Sequence, residues 1–509
     1  MIDKKSTRTV MFILAVVMFA VIAAVYLNRE KSLCMGVKIA DEADIVSSLK
    51  YNIKDLSDIL VFGGQPAAVD LETNTVYIPQ KIKKDTLYTE FAHKLVSSDE
   101  NIVLYFAEDP EFSDMFKAMA SGHEFKLFAV SDGEYMQCKV VFTSLPVISI
   151  KGEVVGKNED ERDIFNGAIC VWNPEYKSTG AYNVQNSRAQ WHYRGNSNYH
   201  VNKKSVKLSL KDEDSLNAEL DLLGNGYEDD DWVLNAMYMD DTAIREKLVM
   251  DMWNELCTAA PYNYKMSTGE YVELVKDGKY QGLYLLENRV DGGYLELGED
   301  QVLVKGQQGH ESTDMGDHYR IIQSKYDEKL VWNRMKGLFN RDNGQYIHLD
   351  NWIDISLFVQ FGYMTDNSTR YNTFYLIDNI EDNPSIKMIL WDTDLALGIG
   401  WVDGKFTHSI DSATTSQRYR KEDESLRILY PQLDDMIAQR YAKLRKSTFS
   451  RDYIFKKIEK YNCRITESGA YARDGQLWGY RCKGEDTAEF LYSYIDARLG
   501  YLDEVYNLQ

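Results

Sequence analysis

An uninterrupted apolar segment near the N-terminus constrains the topology of this protein more than any other feature. The segment Val10–Leu27 contains no charged residue, and about 20 such residues cross the hydrocarbon core of a bilayer. Three basic residues precede it, namely Lys4, Lys5 and Arg8. Basic residues beside a membrane span favour the cytoplasmic side. We therefore expect a cytoplasmic N-terminus over residues 1–9, a transmembrane anchor over residues 10–27 and an extracellular body.

The end of this apolar segment favours an anchor over a cleaved signal peptide. A signal peptide has a shorter apolar region and ends in small residues of the A-x-A type. Here the segment ends in Tyr26-Leu27-Asn28-Arg29. We therefore expect an uncleaved, single-pass anchor in the cell membrane, followed by a stalk over residues 28–50.

The composition of the 509-residue sequence indicates a folded, acidic body. Charged residues make up 27% and aromatic residues 12% of it, a balance typical of globular proteins. The formal net charge of -21 argues against a nucleic-acid partner, which needs clustered Lys and Arg. The six cysteines include no C-x-x-C pair, so we expect no zinc site. Cys463 and Cys482 are either bonded in an oxidising exterior or both reduced.

The pattern of apolar residues changes near residue 146. Residues 51–145 contain short alternating runs separated by turn residues, which predicts a small β-sandwich. Residues 146–509 mix strands with helices, and the part from about residue 430 onwards is mostly helical. One predicted helix covers Asp241–Leu256, and a D-G turn at Asp277-Gly278 predicts a hairpin.

Two acidic clusters flank a second predicted hairpin. Its strands are Asn372–Ile377 and Ile386–Trp391. Because a hairpin brings its two ends together, we expect four polar side chains to converge: Asp366, Asn372, Asp392 and Asp394. Carboxylates gathered without a paired cation repel one another, and such oxygen ligands suit Mg²⁺ that is shared with phosphates. The alternative is that these are ordinary Asp- and Asn-rich turns.

Basic residues lie upstream of these clusters. Arg194 stands in a loop, and Lys203, Lys204 and Lys207 follow it. Arg and Lys on a loop and its following strand could hold phosphates, and the alternative is a solvated basic patch. The sequence has no P-loop, no G-x-G-x-x-G fingerprint, no H-R-D or D-F-G kinase signature and no G-x-S-x-G elbow. The residues alone therefore indicate a divalent-metal site that binds phosphates, and no more.

At these residues the sequence resembles the CotH family of secreted and spore-coat kinases. The resemblance consists of five motifs in order, from about residue 146 to the C-terminus. They are R-G-N-S at residues 194–197, K-K-S-V-K at 203–207, D-W-V-L-N-A at 231–236 with the later D-D-T-A-I-R at 240–245, G-K-Y-Q-G-L-Y-L-L-E at 278–287, and W-D-T-D with Gly398 at 391–398. Each motif alone is weakly specific, but their order makes the assignment strong.

The resemblance implies an α+β fold. In this fold an atypical protein-kinase-like domain over residues 146–509, with a helical C-terminal part, follows the β-sandwich and the transmembrane helix. It also implies transfer of the ATP γ-phosphate to Ser or Thr of a surface or coat protein, with Mg²⁺ or Mn²⁺ as the cofactor metal. Such catalysis consists of positioning and charge neutralisation.

The family's site residues are carried over one at a time. Asp366 resembles the catalytic-loop Asp that orients the acceptor hydroxyl, and Asn372 resembles the metal-binding Asn after it. Asp392 resembles the Asp that holds Mg²⁺ against the phosphates, and Asp394 is a second metal ligand. One departure leaves an alternative open: Asn367 could align with the family's catalytic Asp, and the base would then be missing.

The phosphate-binding side is implied in the same way. Lys207 is the phosphate-facing lysine, with Lys204 as the alternative, and Arg194 lies beside them. Glu287 positions that lysine or a metal. Two other functions remain open: a catalytically inactive envelope or coat scaffold, and a module that binds surface glycan.

Overall fold

The computed structural model describes most of the residues after position 36. The described residues are 37–47, 49–52, 56, 59–81, 95–109, 114–176, 182–195, 197–307, 315–336, 344–367, 371–403, 405–414 and 420–508. None of the helices within these ranges is long and apolar enough to span a bilayer. The predicted anchor over residues 10–27 lies outside the described residues.

The N-terminal region contains short strands and two helices. They are β1 (Lys38–Ala40), α1 (Glu42–Val46), β2 (Lys50–Tyr51), β3 (Leu60–Phe62), β4 (Gln65–Pro66), β5 (Ala68–Asp70), β6 (Thr75–Pro79), β7 (Leu95–Ser97), β8 (Val103–Ala107), α2 (Met115–Ser121), β9 (Phe125–Ser131) and β10 (Glu134–Thr143). A 7-stranded sheet has the order β1-β8-β9-β10-β6-β5, with β2 also paired to β10, and a 3-stranded sheet has the order β4-β3-β7.

This region differs from the predicted β-sandwich over residues 51–145. Three strand pairs of the large sheet are parallel, including β1 with β8. The sheet also begins at Lys38, inside the range 28–50 that we expected to be a stalk. Alternation along a strand shows which side chains are buried. It does not show which strand pairs with which, or in which direction.

A closed barrel follows the N-terminal sheets. Its strands are β11 (Val147–Lys157), β12 (Asp163–Tyr176), β13 (Tyr182–Tyr193), β14 (Val206–Lys211), β15 (Asp231–Asn235), β16 (Gly269–Lys276) and β17 (Lys279–Asn288). They close in the order β11-β12-β13-β14-β15-β17-β16. Inward-facing apolar side chains fill the barrel, including Trp191, Leu208 and Trp232.

Helix α3 (Arg245–Ala259) crosses from β15 to β16, and a second sheet follows the barrel. This 4-stranded sheet has the order β19-β18-β20-β21. Its strands are β18 (Val302–Gly306), β19 (Tyr319–Gln323), β20 (Thr373–Asp378) and β21 (Ser385–Leu390). Three helices lie between these strands in the sequence, namely α4 (Met315–His318), α5 (Glu328–Met335) and α6 (Leu349–Gly362). We call it the second-lobe sheet. A small hairpin comes after it, formed by β22 (Ile399–Val402) and β23 (Lys405–His408).

The C-terminal part is helical, as the sequence indicates. Its helices are α7 (Arg420–Leu429), α8 (Leu433–Arg445), α9 (Arg451–Glu467), α10 (Ala470–Trp478) and α11 (Ala488–Val505). They share one large apolar core with α3, α6 and the second-lobe sheet. Cys463, on α9, and Cys482, after α10, are free thiols in this arrangement.

Candidate active site

The loop Trp391–Gly398, which follows β21, is fastened to the first turn of α3. The carboxylate of Glu246 accepts the backbone N–H of Thr393 at 2.5 Å and its hydroxyl at 3.1 Å. Thr393 lies between Asp392 and Asp394 in sequence. Glu246 therefore fixes the position of both aspartates.

Arg245, the residue before Glu246, holds the other half of this loop. Its guanidinium is fully buried and donates to the carbonyl oxygens of Ala396 at 2.8 Å and Leu397 at 3.3 Å. It also forms ion pairs with Asp240 and, at 2.7 Å, with Asp486. A buried arginine with two carboxylate partners is a rigid support, because removing it would leave both charges unpaired.

The hairpin of β20 and β21 brings the two acidic clusters together. The Nδ2 of Asn372 donates to Asp366 Oδ2 at 2.9 Å, and the backbone N–H of Trp391 donates to the Asn372 carbonyl at 3.0 Å. Asn372 has a φ of 48° and Asp392 one of 57°. This left-handed conformation is tolerated best by Gly, Asn and Asp, which accounts for these residue types at the turns.

Asn367 is more deeply buried than its neighbour Asp366. Its side-chain amide is fully buried and donates to the carbonyl oxygens of Asn372 at 3.1 Å and Trp391 at 2.9 Å. It therefore ties the two ends of the hairpin together, whereas Asp366 is only half-buried. Asp366 is therefore the more accessible of the two side chains. The next three residues, 368–370, lie outside the described ranges.

Four carboxyl groups lie in or beside this loop, those of Asp392 and Asp394 within it and those of Glu246 and Glu287 next to it. Burial raises the pKa of Glu246 well above its usual range, and the charges of Glu287, Asp392 and Asp394 raise it further. Burial, then Asp392, also raises the pKa of Asp394. Burial raises the pKa of Glu287 to about 8, although its Oε1 accepts a 2.9 Å hydrogen bond from Asn235. None of these four side chains forms an ion pair with a Lys or Arg of the described residues.

The chemistry of these donors fits a divalent cation. Clustered carboxylates without a paired cation are stabilised by a metal ion, and Mg²⁺ prefers such hard oxygen ligands. Within the described ranges, no three His, Cys, Asp or Glu side chains already stand close enough to hold a metal ion. Protein-bound Mg²⁺ usually keeps one or two carboxylates and completes its shell with water and substrate phosphates.

A cavity of about 470 Å³ lies between the barrel and the second-lobe sheet, beside Trp391. We call it the cationic cleft. Five cations line it, Arg194, Lys207, Arg289, Lys305 and Arg320, together with His192 and two carboxylates, Glu159 and Asp160. The guanidinium of Arg194 lies 5.4 Å, and the ammonium of Lys305 5.3 Å, from the ring centre of Trp391. The residue after Trp391 is Asp392, so this cation-rich wall adjoins the carboxylates.

The predicted phosphate-binding residues are only partly brought together. Arg194 and Lys207 line the cationic cleft. Lys204 does not line it, and its ammonium stands over the rings of Tyr193 and Tyr199, at 5.4 and 4.6 Å. Glu287 lies near Arg194 and Asp392, but it forms no ion pair with Lys207.

Four residues of the site were not predicted. Glu246 directly follows the D-D-T-A-I-R motif, which contributes to the family resemblance but carries no signal of a site. Arg289, Lys305 and Arg320 stand on separate elements and belong to no local motif. The strand β18 reads V-L-V-K-G and is buried at every position except Lys305, and a lysine within such an apolar strand is the signal that could have drawn attention to it.

The described residues thus form a mixed α+β protein with a closed barrel, a helix that braces an acidic loop, and a cleft with cations beside carboxylates. A family model described as CotH kinase protein matches residues 191–502, more than half of the sequence. The protein therefore belongs to the CotH family. A comparison with curated proteins finds no match.

Proposed function

We propose that this protein is a metal-dependent kinase that transfers the ATP γ-phosphate to Ser or Thr of a surface or coat protein. The observation that carries the proposal is that unpaired cations and unpaired carboxylates lie side by side at one cleft. Arg194, Lys305 and Arg320 line the cationic cleft without an ion pair to any described carboxylate, and the unpaired carboxylates Asp392 and Asp394 adjoin it. A polyphosphate bound with a divalent cation would neutralise both groups at once.

Each residue has a distinct role in this proposal. Asp392, Asp394 and Asn372 would hold the metal, which when bound neutralises charge on the transferred phosphate. Asp366 would orient the acceptor hydroxyl and accept its proton at a carboxylate oxygen. Asn372 donates to that carboxylate and so fixes its direction. Arg194 and the two lysines that line the cationic cleft, Lys207 and Lys305, would supply the positive charge for the phosphate oxygens, and Glu287 would position a cation beside it.

The location of the acceptor follows from the N-terminal segment. Basic residues ahead of the apolar segment Val10–Leu27 would retain the N-terminus in the cytoplasm and export the body. The acceptor would then be a protein outside the cytoplasm. Protease added to intact cells should digest the body, and a body that is protected until lysis would contradict this location.

Calorimetric titration with ATP, in Mg²⁺ or Mn²⁺ and in chelator, tests the proposed activity. We expect metal-dependent binding by the wild type, and an affinity at least about tenfold lower in Asp392→Asn because a charged metal ligand is lost. Asp382→Asn is the matched control, since Asp382 is exposed in the turn at the other end of the same hairpin. A wild type that binds no nucleotide under either condition would instead favour a coat scaffold or a glycan-binding module.

A further inference from the structure

Lys305 occupies an unusual position for a lysine. It stands on β18 of the second-lobe sheet, on the wall of the cationic cleft that faces the barrel. Its ammonium lies 5.2 Å from the ring centre of Phe374 and 5.3 Å from that of Trp391. No carboxylate of the described residues forms an ion pair with it. Burial and then the neighbouring charge of Arg194 lower its pKa to about 8, against the charge of Asp392, which raises it.

Lys207, on the opposite wall, already has a carboxylate partner. Its ammonium lies 3.3 Å from Asp231 Oδ2, and Arg289 forms an ion pair with the same oxygen. The charge of Lys207 and the hydrogen bond from Ser209 both help to lower the pKa of Asp231. An arriving phosphate would have to compete with this carboxylate for Lys207, whereas no described carboxylate forms an ion pair with Lys305, on which the charge of Asp392 acts from a greater distance.

We propose that Lys305, together with Arg194, is the principal phosphate-binding cation of this cleft, and that Lys207 mainly supports Asp231 and Arg289. This inference rests on the proposed function, because it names the residues that hold the nucleotide's phosphates. Arg194 follows a barrel strand and Lys305 belongs to the second-lobe sheet. The bound phosphates therefore join the two walls of the cleft.

Two variants that each remove one positive charge show whether Lys305 or Lys207 is the main phosphate-binding lysine. Inorganic tripolyphosphate and Mg²⁺–ATP are titrated into Lys305→Met and Lys207→Met by calorimetry. We expect Lys305→Met to weaken binding of both ligands at least about tenfold, as expected for losing an unscreened charge-assisted contact of about 1.4 kcal/mol or more. Lys207→Met should weaken binding at most about threefold. A larger loss in Lys207→Met than in Lys305→Met would overturn the inference.

Further variants exclude a purely structural role for Lys305. Lys305→Arg keeps the charge and should retain most of the tripolyphosphate affinity, whereas a packing role would make this larger side chain as harmful as methionine. Without ligand, Lys305→Met should unfold at the wild-type temperature or above it, because a partly buried cation without an ion pair is removed. Lys325→Met, at an exposed lysine over the ring of Tyr326, should bind like the wild type.

The same titrations distinguish a wrong assignment of Lys305 from a wrong proposed function. If the wild type binds tripolyphosphate and Mg²⁺–ATP but Lys305→Met binds both equally well, only the assignment of Lys305 is wrong. If the wild type binds neither ligand, the cationic cleft is not a phosphate site and both proposals fall.

Discussion

The carboxylate of Glu246 accepts the backbone N–H of Thr393 at 2.5 Å, although 147 positions separate the two residues in sequence. This hydrogen bond joins the N-terminus of α3 to the peptide between Asp392 and Asp394. It also places a buried carboxyl group beside those of Glu287, Asp392 and Asp394. The hydrogen bond therefore fixes the geometry of the loop, but it also holds carboxyl groups close enough to repel one another. Such an arrangement is common where a cation is to be bound.

Glu246→Gln should change stability and nucleotide binding in opposite directions. Glutamine keeps an acceptor oxygen for Thr393 but removes one of the repelling charges. We expect the free energy of unfolding at pH 8 to rise by about 1 kcal/mol, while metal-dependent nucleotide affinity falls. Urea unfolding and calorimetry on the same samples measure the two effects. A variant that loses stability and keeps its affinity would show that Glu246 only supports the fold.

Glu287 should make stability depend on pH. Its pKa is about 8 in the folded state against an ordinary value of 4.5, so between these values the folded protein holds a proton that the unfolded protein has released. The free energy of unfolding therefore falls as pH rises from about 4.5 to about 8. In Glu287→Gln this loss is absent, so its stability relative to wild type should increase from pH 5 to pH 8.

Urea unfolding at several pH values measures the Glu287 effect. Glu270→Gln is the control, because Glu270 is exposed on the adjacent strand β16. Parallel pH profiles for Glu287→Gln and wild type would show that Glu287 is not protonated in the folded protein at neutral pH.

Asp366→Asn should affect turnover far more than binding. Asparagine can still accept from Asn372, which donates to Asp366 at 2.9 Å, so the hairpin should be preserved. It cannot accept the acceptor's proton, and loss of a general base typically costs about 10²- to 10⁴-fold in rate. We expect ATP affinity within about threefold of wild type and a correspondingly lower rate of phosphate transfer. Equal losses of affinity and rate would place Asp366 among the metal ligands.

Arg245→Met should destabilise the protein strongly. The substitution leaves the buried carboxylates of Asp240 and Asp486 without their partner, and breaking a buried ion pair in this way costs about 3–5 kcal/mol. Arg451→Met removes an exposed pair with Asp496 and should cost less than about 1 kcal/mol. Thermal unfolding measured on both variants compares them directly. Similar losses would mean that Arg245 does not carry the loop.

A truncated protein that begins at residue 146 should be poorly soluble. Residues of the N-terminal sheets share an apolar core with Trp172, Val275 and Tyr280 of the barrel. The indole N–H of Trp172 also donates to the Phe62 carbonyl at 2.9 Å. Removing residues 1–145 would expose this surface, and large exposed apolar patches promote association. Light scattering and dye binding, compared with a protein that begins at residue 37, measure the effect.

Short-range patterns account for the elements that carry the site. The D-G turn at Asp277-Gly278 lies between β16 and β17, where the sequence predicts a hairpin. The predicted helix Asp241–Leu256 corresponds to α3, which begins at Arg245 because Asp240 Oδ2 accepts the N–H groups of Ile244 and Arg245. The mixed sheet of the N-terminal region was not predicted, since parallel pairing depends on contacts between distant segments.

The sequence by itself determined the family, the hairpin that joins Asp366 to Asn372 and Trp391, and the residue types of the acidic loop. These depend on local turn chemistry and on the order of motifs in the sequence. Only the tertiary structure decided that Glu246 and Arg245 brace this loop and that Lys305 faces Arg194 across the cleft. Such contacts join residues on separate elements, and their energy comes from burial and from the surrounding charges, which no local pattern records.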